Sequence, residues 1–126
     1  MPYKFNLIYR ASKDGMTQAA FHQKCDNKGA TIVIIKIRGS EQLVGGYNPL
    51  VWDSSDTWKY AYDSFIFSFK NGNTFNFGYS NGGGNSIGCH SNYGPSFHND
   101  LRLDKNGFWK RMLICAVKLN IEFKAS

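Results

Sequence analysis

The sequence has few of the features that mark several other classes of protein. Its 126 residues include only three cysteines and three prolines, and no Asn-x-Ser/Thr acceptor for glycosylation. An odd number of cysteines leaves at least one thiol unpaired, so nothing favours the secretory route. The N-terminus has no long apolar core of the signal-peptide type, and Lys118 and Glu122 interrupt the C-terminal apolar stretch. We therefore expect a soluble protein with reduced thiols, inside the cell and in the cytoplasm.

The residues that are abundant indicate one globular, mainly β domain. Hydrophobic residues make up 42% of the chain, with ten Phe, seven Tyr and three Trp. Burial of that much apolar surface can offset the entropy lost on ordering the chain. Thirteen glycines, with Val, Ile, Phe and Tyr gathered in short runs, favour strands joined by turns over a helical bundle.

Local patterns predict one strand and one helix near the N-terminus. The first segment alternates, which puts Phe5, Leu7 and Tyr9 on one face of a strand. Thr17 is suited to cap a short helix that continues to Cys25. Gly29 then suits a left-handed C-terminal cap.

Two β-hairpins follow. Residues 31–37 are almost continuously β-branched and predict a buried central strand, joined by a four-residue loop to a strand over 42–47. The Gly45-Gly46 pair permits a close approach of another chain segment. Residues 64–69 alternate and turn into 74–79, which predicts the second hairpin, and residues 86–89 suggest one more short strand.

Five sequence blocks follow one another in the order found in a known family. They are Phe5 to Gly15, Phe21 to Gly29, Gly45 to Tyr47, Asp63 to Phe67 and Gly94 to Phe97. In this order and spacing they resemble the TLDc family over roughly residues 4 to 103. The variant Gly46-Tyr47-Asn48-Pro49 with Trp52 is similar to the fungal members.

This resemblance implies a fold and a type of function. The expected fold is α+β and mainly β: an antiparallel β-sandwich with one or two short flanking helices. The expected function is that of a non-catalytic protein-interaction module, with no enzymatic activity and no cofactor. Family members are associated with resistance to oxidative stress and with binding the vacuolar-type proton ATPase, so a protein partner of that kind is expected.

The ends of the chain depart from the family pattern. We expect residues 1–104 to form a TLDc-like domain that is incomplete at its N-terminus, and residues 105–126 to form a divergent basic segment. In particular, Phe108 to Ser126 does not resemble the closing strand of the family. An incomplete sandwich would leave a sheet edge or an apolar face exposed, which favours self-association.

Polar loops on a rigid scaffold commonly carry function, so two segments are the candidate binding residues. They are a loop with Arg10, Ser12, Lys13 and Asp14, and a turn with Gly45, Gly46, Tyr47 and Asn48. An alternative places function in the basic segment from residue 102 to 124. Net charge is +6, and the last 26 residues hold six Lys or Arg against two acidic residues. Such a segment could bind nucleic acid or a membrane surface, although no nucleic acid is expected as the partner.

Catalytic and metal-binding motifs are weak. Gly84 to Gly88 matches the G-x-S-x-G pattern around Ser86, but no helix is predicted after it, as a hydrolase elbow requires. His22 and Cys25 lie three residues apart on the predicted helix, without the spacing of a known zinc motif. We expect Cys25 to pack as a small hydrophobe and His22 to be solvated. Cys89, beside His90, is the one candidate for a redox-sensitive thiol.

Overall fold

The computed structural model describes the backbone of residues 3–37, 39–70, 74–79, 86–97, 101–102 and 112–121. Ten strands and two helices lie within these ranges. In chain order they are β1 (Tyr3–Arg10), α1 (Ala11–Asp14), α2 (Gln18–Cys25), β2 (Thr31–Ile37), β3 (Gln42–Asn48), β4 (Thr57–Lys59), β5 (Phe65–Lys70), β6 (Thr74–Tyr79), β7 (Ile87–Cys89), β8 (Ser96–Phe97), β9 (Leu101–Arg102) and β10 (Met112–Ile121).

The strands form two antiparallel sheets. One has six strands in the order β1-β10-β2-β3-β5-β6, and the other has four in the order β4-β7-β8-β9. The mainly β fold with short helices is confirmed, as are both hairpins and the four-residue loop between β2 and β3. The hairpins were predictable because alternation and turn residues are local signals.

The C-terminal strand lies inside the six-stranded sheet. β10 pairs with β1 on one side and with β2 on the other, where Ala116 lies opposite Val33. Residues 112–121, which lie in the segment that does not resemble the closing strand of the family, thus form a strand of the larger sheet. Residues before and after position 104 therefore share one sheet. Within β10, Ile114 and Ala116 are buried, and Lys118 is the one basic residue of the strand.

An irregularity in β1 changes the face on which its side chains lie. Leu7 pairs with Val117, yet Tyr9 pairs with the adjacent Ala116, so one extra residue is accommodated in β1. Tyr9 is consequently fully buried, whereas Phe5 is 55% and Leu7 51% exposed. The prediction that these three share one face is wrong, because simple alternation does not anticipate a bulge.

Helix α2 begins as predicted but ends differently. The Thr17 hydroxyl accepts a hydrogen bond from the Ala20 N–H at 3.1 Å, which confirms the N-cap. At the other end, Asp26 follows the helix with an extended backbone, and its N–H donates to the His22 carbonyl. Gly29 has φ of 88°, in the left-handed region, but lies beyond this end and is not the cap.

Trp52 joins the helix to both sheets. Its ring contacts Phe21 of α2 and Phe97 of β8 edge to face, each with a centroid distance of 5.5 Å. The indole Nε1–H donates to the Thr31 hydroxyl of β2 at 2.7 Å. Trp52 is fully buried, and its one polar atom is satisfied.

The Gly45-Gly46 pair allows rings to lie against both faces of β3. A Cβ at Gly46 would be 2.6 Å from the Phe97 ring, on the core side. A Cβ at Gly45 would be 2.5 Å from the Phe67 ring on the opposite side and 2.1 Å from the Val33 carbonyl. The predicted close approach is confirmed, and it sets how closely Phe97 of the smaller sheet packs on the larger one.

Gly46→Ala is expected to lower the free energy of unfolding by about 2 kcal/mol, because the added methyl overpacks the core. Gly39→Ala is the control: no atom lies within 4 Å of its Cβ, but its φ of 78° is strained for alanine, which costs about 1 kcal/mol. Urea denaturation measures both. In a Phe97→Leu background, Gly46→Ala should lower the free energy of unfolding by less, because the ring that the methyl group meets is gone. An unchanged decrease would contradict the steric explanation.

Candidate protein-interaction surface

The predicted N-terminal binding loop is a closed turn around α1, here called the α1 loop (residues 10–15). The Arg10 N–H donates to Asp14 Oδ2 at 2.9 Å, and the Gly15 N–H donates to the Ala11 carbonyl at 3.1 Å. The Tyr9 hydroxyl donates to the Gly15 carbonyl at 2.6 Å. These bonds connect both ends of the loop, so its backbone is held in one conformation.

The core supports the α1 loop from beneath. Ala11 is 2% exposed and Tyr9 is fully buried. Burial raises the pKa of Tyr9, and the nearby Cys25 and Asp14 raise it further, so its hydroxyl remains protonated and can donate. A Cβ at Gly15 would lie 2.9 Å from Ala20 of α2, which explains why this position is glycine.

Three of the four predicted side chains of this loop face the solvent. Arg10, Ser12 and Lys13 are exposed, and Asp14 is half-buried. Together they offer cationic and hydroxyl donors on a backbone that is already ordered. The structure therefore brings these residues together, and their role in binding stays a prediction.

The second predicted segment does not form a turn. Gly45, Gly46, Tyr47 and Asn48 all lie in β3, which pairs with β2 and β5. Gly45, Gly46 and Asn48 are buried, and only Tyr47 is partly exposed. The description of residues 45–48 as a turn is therefore wrong, whereas the strand predicted over 42–47 is confirmed and extends to Asn48.

A polar cluster that sequence reasoning missed joins α2 to two loops. His22 of α2 is only 6% exposed, so the prediction that it is solvated is wrong. Its Nδ1 lies 2.7 Å from Asp26 Oδ1, and its Nε2 lies 2.8 Å from the carbonyls of both His90 and Tyr93. The Ser54 hydroxyl donates to the other Asp26 oxygen at 2.8 Å. The spacing of four residues between His22 and Asp26 was the one available signal.

The two loops of this cluster, one with Ser54 and the other with His90 and Tyr93, are also connected to each other at the surface. Ser91 donates from its backbone N–H and from its hydroxyl to Asp56 Oδ1, both at 2.8 Å. These hydrogen bonds hold the pKa of Asp56 below its ordinary value. The Asp56 N–H in turn donates to the Cys89 carbonyl at 2.8 Å. The cluster therefore fixes loops to the scaffold, and its ring nitrogens are occupied by structural contacts.

His22→Ala should lower the free energy of unfolding by about 2 kcal/mol, because the part-buried carbonyls of His90 and Tyr93 and the Asp26 carboxylate each lose a hydrogen bond. Gln23→Ala, at the neighbouring exposed position of α2, is the control and should change stability by less than about 0.5 kcal/mol. Chemical denaturation compares the two. Equal losses would show that the His22 contacts contribute nothing.

A salt bridge between Asp53 and Lys59 lies on the rim of this cluster. Burial by itself would raise the pKa of Asp53, but hydrogen bonds from Lys59 and Ser55 outweigh that effect and lower the pKa to about 2. The carboxylate is therefore charged throughout the neutral range.

The lowered pKa of Asp53 predicts a pH dependence of stability. The stabilisation is complete above the unfolded-state pKa of about 3.9, and it disappears as the pH falls towards 2. Between these pH values, the free energy of unfolding of the wild type should fall by about 1 kcal/mol more than that of Asp53→Asn. The effect is small because the pair is partly exposed to solvent. Denaturation at pH 5, 4, 3 and 2 tests this, and parallel curves would contradict it.

The thiols and Ser86 lie in surroundings that do not activate them. Cys25 and Cys89 are fully buried, which confirms the packing role of Cys25. Burial raises the pKa of Cys25, Cys89 and Cys115, whereas a reactive thiol needs a lowered one. Ser86 is 5% exposed and is followed by strand β7, where a hydrolase elbow would have a helix. In the described part of the chain, no three His, Cys, Asp or Glu side chains are grouped to hold a metal ion.

The alternative site in the basic segment is described only in part. Residues 103–111 and 122–126, which hold most of its charges, lie outside the described residues, as do the glycines at 82–84. Lys118 lies in β10 and is half-buried. Within the described ranges, no helix is long and apolar enough to cross a membrane.

The structure consists of two antiparallel sheets with a closed polar loop at the end of β1, and loops on a rigid scaffold commonly carry function. The family follows from the sequence of that scaffold: residues 2–111 match the model of the TLDc domain, and the chain belongs to this family. Membership defines the chain as a protein-interaction module. Among curated proteins, no significant match was found. The family match ends one residue before β10 begins.

Proposed function

We propose that this chain is a non-catalytic adaptor that binds the vacuolar-type proton ATPase and acts in resistance to oxidative stress, with the α1 loop as its contact surface. Family membership over residues 2–111 supports the type of function, because the resemblance to TLDc proteins implies both roles. The single observation that carries the site is the closed α1 loop, whose Arg10, Ser12 and Lys13 side chains are exposed on an ordered backbone.

The chemistry of the loop favours an acidic or carbonyl-rich partner surface. Arg10 and Lys13 supply positive charge, and Ser12 supplies a hydroxyl that can donate or accept. Because internal hydrogen bonds already order the backbone, binding costs less conformational entropy than it would for a flexible loop. Electrostatic attraction would also raise the association rate at low salt.

The test is a pull-down of vacuolar-type ATPase subunits with the purified chain and two charge-reversal variants. Lys13→Glu places a negative charge in the α1 loop and should reduce recovery at least about tenfold, through like-charge repulsion at the contact. Lys24→Glu is the matched control, because Lys24 is an exposed residue of α2 with the same charge. Asp14 is left intact, since its carboxylate closes the loop.

The outcomes separate the function from the site. Recovery with the wild type and Lys24→Glu, and its loss with Lys13→Glu, supports both. Equal recovery with all three proteins removes the α1 loop as the contact. No recovery with a wild-type chain that unfolds cooperatively overturns the proposed partner.

The absence of catalysis is part of the proposal. Its support is the environment of the candidate nucleophiles: Ser86, Cys25 and Cys89 are buried, and burial raises the pKa of both thiols. A screen of ester and peptide substrates should show no turnover. Any hydrolysis that disappears in Ser86→Ala would contradict this part.

A further inference from the structure

The two faces of the six-stranded sheet differ in what covers them. Val33, Ile35, Ile114 and Ala116 point into the core and are buried. Alternation places their neighbours on the opposite side, here called the outer face. Six of its described side chains on β1, β10 and β2 are apolar: Phe5, Leu7, Ile32, Ile34, Cys115 and Val117.

The register joins these side chains into one continuous surface. Leu7 lies opposite Val117, which lies opposite Ile32, and Cys115 lies opposite Ile34. None of these six positions on the outer face is buried, and Phe5 and Leu7 are more than half exposed. Single exposed apolar residues are common, but a contiguous apolar sheet face is a marker of an interaction site.

Charge is confined to the margin of this face. Although the chain carries a net charge of +6, two charged residues lie among the described outer-face positions, and both are near strand ends. Arg10 is at the end of β1, opposite Cys115, and Lys36 is near the end of β2, beside the hairpin loop. An apolar centre with a charged rim is the usual anatomy of a protein–protein interface, and a rim lysine can remain in water.

The size of the face matches what a small dimer needs. Six strands about 4.8 Å apart, with about six residues at about 3.3 Å each, present roughly 500–600 Å². Two such faces would together bury on the order of 1,100 Å², at the lower limit for a specific interface. The apolar centre of this face is complementary to the same centre in a second copy, and the combined area reaches the lower limit for such a pair.

We propose that the outer face of the six-stranded sheet is a self-association surface, on which a second copy of this chain packs face to face about a twofold axis. Each copy contributes the same patch, as in an isologous dimer. The sheets pack about 10 Å apart with their strands crossing at about 30°, as in a β-sandwich. Interfaces near the lower size limit are mostly weak, so we expect a dissociation constant on the order of micromolar.

Packing through the face differs from pairing through the edge of the sheet. β1 is an edge strand, so its free backbone groups could also pair with another copy. Ile34 distinguishes the two arrangements, because it lies on β2, two strands from that edge. A substitution at Ile34 changes the face and leaves the edge intact.

Sedimentation velocity and equilibrium of the full chain test the proposal between about 1 and 200 µM, a range that brackets a micromolar dimer. The wild type should shift from a mass of 14.3 kDa to about twice that value. Leu7→Lys and Ile34→Lys should each weaken association at least tenfold, because each buries a charge in the apolar centre. Tyr62→Lys is the control, since Tyr62 is 62% exposed but lies in the segment between β4 and β5.

Ile34→Thr, which keeps the β-branched shape, provides a second variant in case Ile34→Lys does not unfold cooperatively. A monomer throughout the concentration range would overturn the proposal. Association that survives both Ile34 variants and is lost in Leu7→Lys would overturn it in favour of edge pairing. If Tyr62→Lys alone abolished association, the interface would lie elsewhere, and the proposal would also be overturned.

Discussion

A chain that stops after Arg111 is expected not to fold cooperatively. β10 pairs with both β1 and β2, so its removal leaves these two strands without their common neighbour and exposes an edge of each. It also removes the buried Ile114 and Ala116. The loss should equal the whole stability of a domain of this size, about 5–15 kcal/mol.

Thermal unfolding followed by circular dichroism compares this truncation with the full chain. The control is a chain that stops at Ile121, which removes the last five residues and leaves β10 in place. The control should melt cooperatively, and the shorter chain should not. A cooperative melt of residues 1–111 at the temperature of the full chain would contradict the placement of β10, and would mean that the family-matched residues suffice.

Trp52→Ala is expected to have the next largest effect. The indole is fully buried and contacts Phe21 and Phe97, so truncation leaves a cavity where α2 and the two sheets meet. Such replacements cost about 3–5 kcal/mol. In a domain of this length, that corresponds to a decrease in Tm of about 15 °C.

Trp52→Phe separates packing from hydrogen bonding. Phenylalanine retains most of the ring contacts, but it leaves the Thr31 hydroxyl without the Nε1 donor. Its cost should be about 2 kcal/mol, roughly half that of Trp52→Ala. Both are measured by chemical denaturation. Equal costs for the two variants would show that the ring contacts contribute little.

The parts of the fold that were predictable from sequence depend on local signals. Thr17 caps α2 through a contact three residues away, and both hairpins follow from alternation and turn residues. The errors concern pairings between distant segments. The bulge after Leu7 moves Tyr9 into the core, and β10 lies between β1 and β2, although about 75 residues separate it from β2. Neither effect leaves a signal within a short window of sequence.

In the candidate site, too, local features were predictable and contacts between distant residues were not. The α1 loop was found because its polar residues are consecutive, and its hydrogen bonds are local. The close approach at Gly45 and Gly46 was also predictable, but the residues that approach, Phe67 and Phe97, lie more than 20 residues away and were not. The His22 cluster was missed because its partners, His90 and Tyr93, lie about 70 residues away.

Amide hydrogen exchange of the chain, alone and with the purified vacuolar-type ATPase, tests the central claim most directly. The short helix α1 lies at the surface, so its amides should exchange quickly in the free chain, whereas those of β2 are slow. If the chain is an adaptor that docks through the α1 loop, the partner should slow exchange at residues 10–15 and leave β2 unchanged. Unchanged exchange at residues 10–15 under saturating ATPase would contradict the account.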